Sequence, residues 1–425
     1  MSSTESMSTT IAGIDTAERP GVQRRTLTTL RMAQVPAQAA VAGMIAVVAL
    51  LASQLLNSDR LSGTGNAAFT FGSAFVAVPL SGFMRRAGRR PGLVRAYGLG
   101  AVGAAVASVA GQVGSFPLFV VGMLAFGSGQ AAALQARFVA ADLAEPNERS
   151  RAIGSVVWVG TLGAAFGPLL TPWEKRFAEH LGLKPLVGPF ITASLFFAIA
   201  AGVVAWRLRP DPLVAAGHVD PGAQRVRPMT QVRRAAAVVR PNSMAQLGLA
   251  AMVVSQTAMV AVMTMTPPQM KDHHHADLSA YVIALHIVGM YGFSPFVGRV
   301  VERIGRPRSI IIGAVTLGAG ALIAVAFGYS SVLMFVGLLL LGVGWSFGLV
   351  AGSTLLTESV PAQTRVEVQG AGDLVMSLFG GTAAFCSGFV KQSFGYPTLA
   401  YGAALLTAAL VVFTMGRSAQ ARHAV

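Results

Sequence analysis

Apolar stretches of about 20 residues, each long enough to cross a bilayer as a helix, follow one another along nearly the whole 425-residue chain. Read at that length, the chain divides into twelve spans: 33–56, 62–84, 92–113, 117–141, 151–171, 187–206, 243–267, 278–298, 309–328, 331–357, 366–390 and 395–415. Hydrocarbon offers no partner for a backbone N–H or C=O, so a spanning segment must satisfy its own. The spacing therefore predicts an all-α membrane protein. A hydrophobic share of 53% with only 12% charged residues agrees, and a soluble domain is excluded on the same ground.

In a soluble chain a net charge of +15 would point to nucleic acid. Here the Lys and Arg residues gather in alternate links, while the other links hold only Arg60, Lys175, Arg176, Lys184, Lys271 and Lys391, and Arg137 alone lies within a span. That asymmetry is the positive-inside pattern. It predicts a multi-pass protein of the cytoplasmic (plasma) membrane with both termini cytoplasmic, and it replaces the nucleic-acid reading. The Ser- and Thr-rich segment 1–32 reads as a disordered tail without a signal peptide. Six spans follow at 33–206, then a basic, proline-punctuated link at 207–242, six more spans at 243–415, and a short tail at 416–425. The link reads as a strap between two bundles or as a plain tether. Cys386 is the sole cysteine, so no internal disulfide forms.

A turn recurs in both halves. The first copy, between spans two and three, runs Ser81-Gly82-Phe83-Met84-Arg85-Arg86-Ala87-Gly88-Arg89-Arg90. The second, between spans eight and nine, runs Gly298-Arg299-Val300-Val301-Glu302-Arg303-Ile304-Gly305-Arg306-Pro307. An internal repeat of this length, in a chain of spanning segments, is a hallmark of secondary transporters. The turn resembles the G-x-x-x-D-R-x-G-R-R loop of the major facilitator superfamily, and the resemblance covers nearly the whole chain. It implies two six-helix bundles around a central site, and it marks Gly82, Arg86, Gly88, Arg89, Gly298, Glu302, Arg303, Gly305 and Arg306 as conformational-loop residues. The second copy keeps the family's acid as Glu302, whereas the first has Arg85 in that place. Span five carries Gly154, Gly163, Gly167 and Pro168, similar to a motif of exporters in that superfamily, although glycines so spaced also serve plain helix packing.

Spans seven and eight carry Met259 with Met263, and His286 with Met290, each pair four residues apart and so on one helix face. Met259 and His286 fall about 12 Å below the outer surface. Thioethers and an imidazole form a soft donor set suited to Cu(I). The arrangement resembles the CcoA-like copper importers, a branch that also includes riboflavin carriers, and the resemblance puts all four residues in a metal path. Packing, with a polar substrate contact from His286, is the other reading. In the outer link, His273, His274 and His275 form an outer collector for a metal or a solvated loop.

Polar residues inside a bilayer are costly and mark function. Asp373 is a proton-carrying acid or a helix-holding group, and Gln135 and Gln256 are cavity candidates beside Gln130. Arg137 either faces the cavity to hold an anion or, as the favoured structural role, snorkels to the inner surface or pairs with Asp142 or Glu148. The chain lacks a P-loop, a GxSxG and a CxxC, so no enzyme, no cofactor and no ATP-driven step is expected. The sequence thus predicts a monomeric, gradient-driven carrier of a small molecule or metal ion in the lipid bilayer, first copper uptake, then drug or metabolite export with protons, then riboflavin-type transport.

Overall fold

The computed structural model describes residues 15, 18–56, 64–220, 227–272, 278–326 and 331–423. The histidines at 273–275, the expected outer collector, lie outside the described residues. Among the described residues there is no strand. The helices are α1 (Arg19–Leu56), α2 (Thr64–Ala87), α3 (Arg89–Val113), α4 (Phe116–Val139), α5 (Arg149–His180) and α6 (Gly188–Arg207), then α7 (Pro212–Ala215) and α8 (Pro228–Val239) in the link. The second half follows with α9 (Ser243–Asp272), α10 (Ser279–Ile287), α11 (Ser294–Ile304), α12 (Arg306–Ala326), α13 (Ser331–Glu358), α14 (Ala362–Phe394) and α15 (Tyr396–His423).

Among the described residues ten helices are long and apolar enough to cross a membrane, and up to twelve crossings result if two bent pairs count as one span each. One bend of 41° divides α1 after Met44; the other, also 41°, separates α10 from α11. Between α10 and α11 the residues Val288–Gly292 form a π-helical turn.

The buried apolar residues form two clusters. One is built mainly from α1 to α6, the other mainly from α9 to α15. Alanine and glycine fill much of both, because attraction between helices in lipid comes from close packing and not from escape from water. Large side chains such as Trp206, Leu405 and Val412 point outward, more than 70% exposed, as a lipid-facing surface requires.

Three expected boundaries are corrected. Residues 19–31 are not a free tail but the first turns of α1, where Val22, Gln23, Thr26, Thr29 and Leu30 are buried. Gln23 Nε2 donates to the Ala140 carbonyl at 2.7 Å, which anchors the extension under the bundle. A scan for apolar spans passes over this segment because its buried face is largely polar. Likewise α5 runs on to His180 and takes in Lys175 and Arg176, and α15 runs to His423.

The end of the bundle that holds the link and the repeated turns is called the basic end below. There the two copies of the turn are built alike. Gly88 and Gly305 both adopt positive φ, 96° and 86°, which lets one helix end and the next begin without a spacer. The arginine after each glycine then reaches an acid along its own half. Arg89 grips Asp142 through Nε and Nη2 at 2.8 and 3.0 Å, and Arg306 grips Glu358 through Nε and Nη2 at 3.0 and 2.8 Å. The two bidentate pairs span 53 and 52 residues of chain.

Candidate functional site

Between the halves lies a cavity of about 200 Å³. Helix periodicity explains its walls. On α4 the residues Gln130, Ala133, Leu134 and Arg137 recur at three- and four-residue steps and form one stripe facing it. On α14 the stripe is Met376, Ser377, Gly380, Gly381 and Ala384, with Asp373 one step below. On α13 it is Trp345 and Leu349, with Ser353 one step below.

The walls differ in chemistry. The first half supplies amides and hydroxyls: Gln34 and Gln38 on α1, Thr70 and Ser73 on α2, and Gln130 on α4. Three of these carry buried oxygens with no protein partner, Gln34 Oε1, Gln130 Oε1 and Ser73 Oγ. A buried polar atom left unpaired is costly, so such atoms at a cavity wall are poised for a ligand or water. The second half supplies an aromatic and thioether surface. Trp345 and Tyr291 meet edge to face with centroids 5.6 Å apart, and Trp345 Nε1 donates to Gln256 Oε1 at 2.7 Å. Met259, Met290 and Met376 complete that wall.

Below the cavity is a buried polar chain. The Arg137 guanidinium pairs with Asp373, donates from Nε to the Ser353 hydroxyl at 3.0 Å and from Nη1 to the Leu134 carbonyl at 2.7 Å. Gln135 Nε2 donates to the other Asp373 oxygen at 2.8 Å, and Gln135 Oε1 accepts from Arg89 Nη1 at 3.2 Å. Arg89 also donates to Gln369 Oε1 at 2.7 Å. The chain thus crosses from the first half to the second at Asp373, Ser353 and Gln369. Arg137 does not take Asp142 or Glu148, as expected from the sequence, because Asp142 is already claimed by Arg89 and α14 brings Asp373 within reach.

At the basic end the halves are pressed together. Arg85 on α2 stands 3.3 Å from Glu367 on α14. Glu302 on α11 accepts from the Arg151 backbone N–H at 2.8 Å and pairs with the Arg151 guanidinium at 2.9 Å. Arg306 donates to the Pro146 carbonyl across the same gap at 2.6 Å. Backbones touch at Gly154 and Gly298: a Cβ built on Gly154 would sit 2.5 Å from the Ser294 carbonyl oxygen, and one on Gly298 would sit 2.8 Å from that of Ser150. These contacts hold the two halves together at this end.

The residues singled out in the sequence fall into three groups. Gln256, Met259 and Met290 line the cavity, while Gln135 and Asp373 lie just beneath it. Met263 is half-buried in the core of the second half, and His286 is fully buried, its Nδ1 against the Leu338 carbonyl at 2.8 Å. The four-residue Met/His set is therefore split, two at the cavity and two outside its lining. Among the described residues no group of three His, Cys, Asp or Glu gathers either. Of the loop residues, Arg86 folds back on the Gly82 carbonyl at 3.2 Å, Gly82 lies against Gln231 of α8, and Arg303 is exposed. Sequence reasoning missed Gln34, Gln38, Tyr291 and Trp345. The two glutamines stand four apart in an apolar span, a signal that was present; the aromatic pair has none in sequence.

The family model described as Major Facilitator Superfamily matches residues 33–270 and 247–424. The chain is 36% identical over 407 residues to the uncharacterized MFS-type transporter YdeG of Bacillus subtilis strain 168, covering 94% of each. To the riboflavin transporter RfnT of Brucella anthropi it is 29% identical over 385 residues, covering 88% of this chain and 91% of the relative. In fold it resembles the human organic anion transporter MFSD10, with a TM-score of 0.75 at 18% identity, covering 92% of this chain and 99% of that chain.

Proposed function

The chain belongs to the Major Facilitator Superfamily and is a secondary transporter, and we propose that its cargo is a planar, hydrogen-bonding aromatic solute of the riboflavin type, taken up by alternating access. The observation that carries this reading is the division of the cavity. A flat ring can lie on Tyr291, Trp345 and the methionines, and its polar edge can meet the free oxygens and amides of Gln34, Gln130 and Ser73. Carboxamides can present either a donor or an acceptor, which suits an imide edge that carries both. The riboflavin transporter among the relatives supports the same class. Taking the basic end as cytoplasmic, by the positive-inside pattern, the cavity in this conformation is loaded from outside.

Copper uptake draws less support. The soft donors at the cavity are thioethers alone, and the imidazole that would join them is turned to a backbone carbonyl on α13. Uptake of labelled riboflavin into cells, with labelled copper in parallel, separates the two readings. Trp345→Ala and Gln256→Ala are expected to raise the half-saturating riboflavin concentration about tenfold, the loss of roughly one stacking contact or one buried hydrogen bond. Copper accumulation abolished by Met259→Leu, with riboflavin ignored by the wild type, would reverse the assignment.

A further inference from the structure

The basic end carries more positive charge than its carboxylates answer. Asp142 is taken up by both prongs of Arg89, and Glu358 by both prongs of Arg306. Arg149 reaches the same Glu358 only at 3.9 Å, through Nη1, and its Nε is a buried atom with no partner. Arg365 is half-buried and makes no ion pair or hydrogen bond among the described residues, and its Nε too is buried and unpartnered.

The two arginines belong to opposite halves, and each stands where a helix begins. Arg149 is the first residue of α5 and Arg365 lies in the first turn of α14, and neither helix has a capping side chain. The positive ends of both helices therefore add to the guanidiniums. Arg149 and Arg89 repel Arg365, while Asp142 and Glu358, which attract it, have their oxygens committed elsewhere. Arg19 of α1 and His218 of the link stand in the same field as Arg149 and Arg365. Glu145 and Glu148, in the loop before α5, are exposed, and among the described residues neither forms an ion pair.

A guanidinium N–H shut away from water without an acceptor is costly, and like charges facing each other in a half-buried seam add to that cost. An anion placed between the two arginines removes both costs, and the pattern of donors narrows its kind. Each guanidinium is a planar fork that takes two oxygens of one anion. A carboxylate has oxygens for one fork and a single charge. A phosphate monoester presents three terminal oxygens and about two negative charges near neutral pH, enough for both.

We propose that the seam at the basic end binds a phosphate dianion, as a soluble phosphate monoester or as a lipid headgroup, clamped between Arg149 of the first half and Arg365 of the second. The anion bridges the halves, so it binds this conformation more tightly than one in which α5 and α14 have parted at this end. A ligand with that preference shifts the population towards the closed basic end. With the basic end cytoplasmic, phosphate inside the cell slows the carrier by holding it in its outward-loading form. The site itself is independent of the cargo; only its effect on flux rests on the transport reading above.

Radiolabelled inorganic phosphate is the probe, offered to the full-length protein in nanodiscs of phosphatidylcholine at an ionic strength held constant with chloride. Saturable binding is expected. Arg365→Gln and Arg149→Gln are each expected to weaken it about tenfold or more, the scale of one charge-assisted contact. Arg234→Gln, which removes an exposed charge from α8, is expected to leave it unchanged. Without phosphate, Arg365→Gln should melt no lower than wild type, because it deletes a charge that has no partner; an arginine of purely structural use would lower the melting temperature when lost. If Arg365→Gln is not recovered, Arg365→Lys decides, since loss of the fork must weaken binding.

The hold on the basic end has its own readout. In a Cys386→Ser chain, Ala384→Cys places one thiol on the cavity wall. In right-side-out membrane vesicles loaded with phosphate, its alkylation by an external, membrane-impermeant maleimide is expected to rise about fivefold, the usual scale of a coupling between sites. Arg365→Gln should abolish that rise, and phosphate binding that leaves the rate unmoved overturns the holding role. Nanodiscs containing phosphatidic acid without free phosphate form a second arm, read as a rise in melting temperature that Arg365→Gln removes. Response to free phosphate assigns the site to a soluble monoester, and response to phosphatidic acid alone assigns it to a headgroup. Failure of both arms, or binding that survives Arg365→Gln and Arg149→Gln, overturns the site.

Discussion

Arg85 on α2 and Glu367 on α14 form an ion pair between the halves whose polarity is opposite to that implied by the turn's resemblance. The arginine stands where the first copy of the repeat would carry an acid, and the acid has moved to the opposite helix. The second copy keeps its acid, Glu302, and pairs it with Arg151. Each turn therefore holds the basic end shut through one cross-half pair, with the signs exchanged between the two.

Because the attraction depends on opposite signs and not on which helix bears which, reversing both should work. Arg85→Glu sets two carboxylates together, one of them only 4% exposed, and is expected to weaken the closed basic end by about 3 kcal/mol. Arg85→Glu with Glu367→Arg should restore it. Alkylation of a thiol placed on the cavity wall by Ala384→Cys in a Cys386→Ser chain reads the difference, and a double variant no better than the single one would show that the pair does not latch.

The seam at Gly154 leaves no room for a side chain, since the nearest atom is backbone. Gly154→Val is expected to hold the basic end apart and reduce uptake at least about tenfold, overpacking of this kind costing roughly 1–3 kcal/mol. Normal amounts of protein in the membrane should accompany the loss. Wild-type uptake by this variant would mean that the halves do not close here.

The paired arginines of the repeated turn should tolerate lysine unequally. Lysine cannot make the two-pronged contact that both residues make. Arg89 is fully buried and also serves Gln135 and Gln369, whereas Arg306 is part-exposed. Arg89→Lys is expected to lower the melting temperature of the purified protein clearly more than Arg306→Lys. Equal shifts would mean that the Gln135 and Gln369 contacts add nothing.

His218, in the link, has its pKa lowered from the ordinary 6.5, first by burial and then by the nearby Arg365 charge. Below 6.5 the unfolded chain therefore binds more protons at this site than the folded one. Its stabilising effect is complete above that pH and is lost as pH falls through the lowered folded value. Thermal unfolding followed from neutral to acid pH should show that slope diminished in His218→Gln; an identical slope in both proteins would remove His218 from the acid response.

The membrane architecture was legible because hydrocarbon imposes one rule on every span, a length of apolar residues, and sequence states length directly. The repeated turn was legible for a similar reason: Gly88 and Gly305 need a backbone conformation that glycine alone adopts cheaply. What lay beyond reading was set by pairing across the gap. Nothing near Arg137 in sequence says that its partner is Asp373, and the sequence-adjacent acids Asp142 and Glu148 were the natural expectation. The Met/His set is split because His286 turns to the Leu338 carbonyl and Met263 packs in the core of the second half, contacts that no residue type announces. The helical extension at residues 19–31 escaped notice because its contacts with the bundle are partly hydrogen bonds of Gln23 and Thr29.

The contact of Gly154 and Gly298 with the facing backbone gives this protein a mechanical stop. Side chains yield by changing rotamer, but peptide planes barely deform, so the closed position at the basic end is fixed by covalent geometry. Substitutions elsewhere can then remodel the chamber without altering how far the halves travel. A lineage built on such a stop is free to trade one cargo for another while its stroke stays constant.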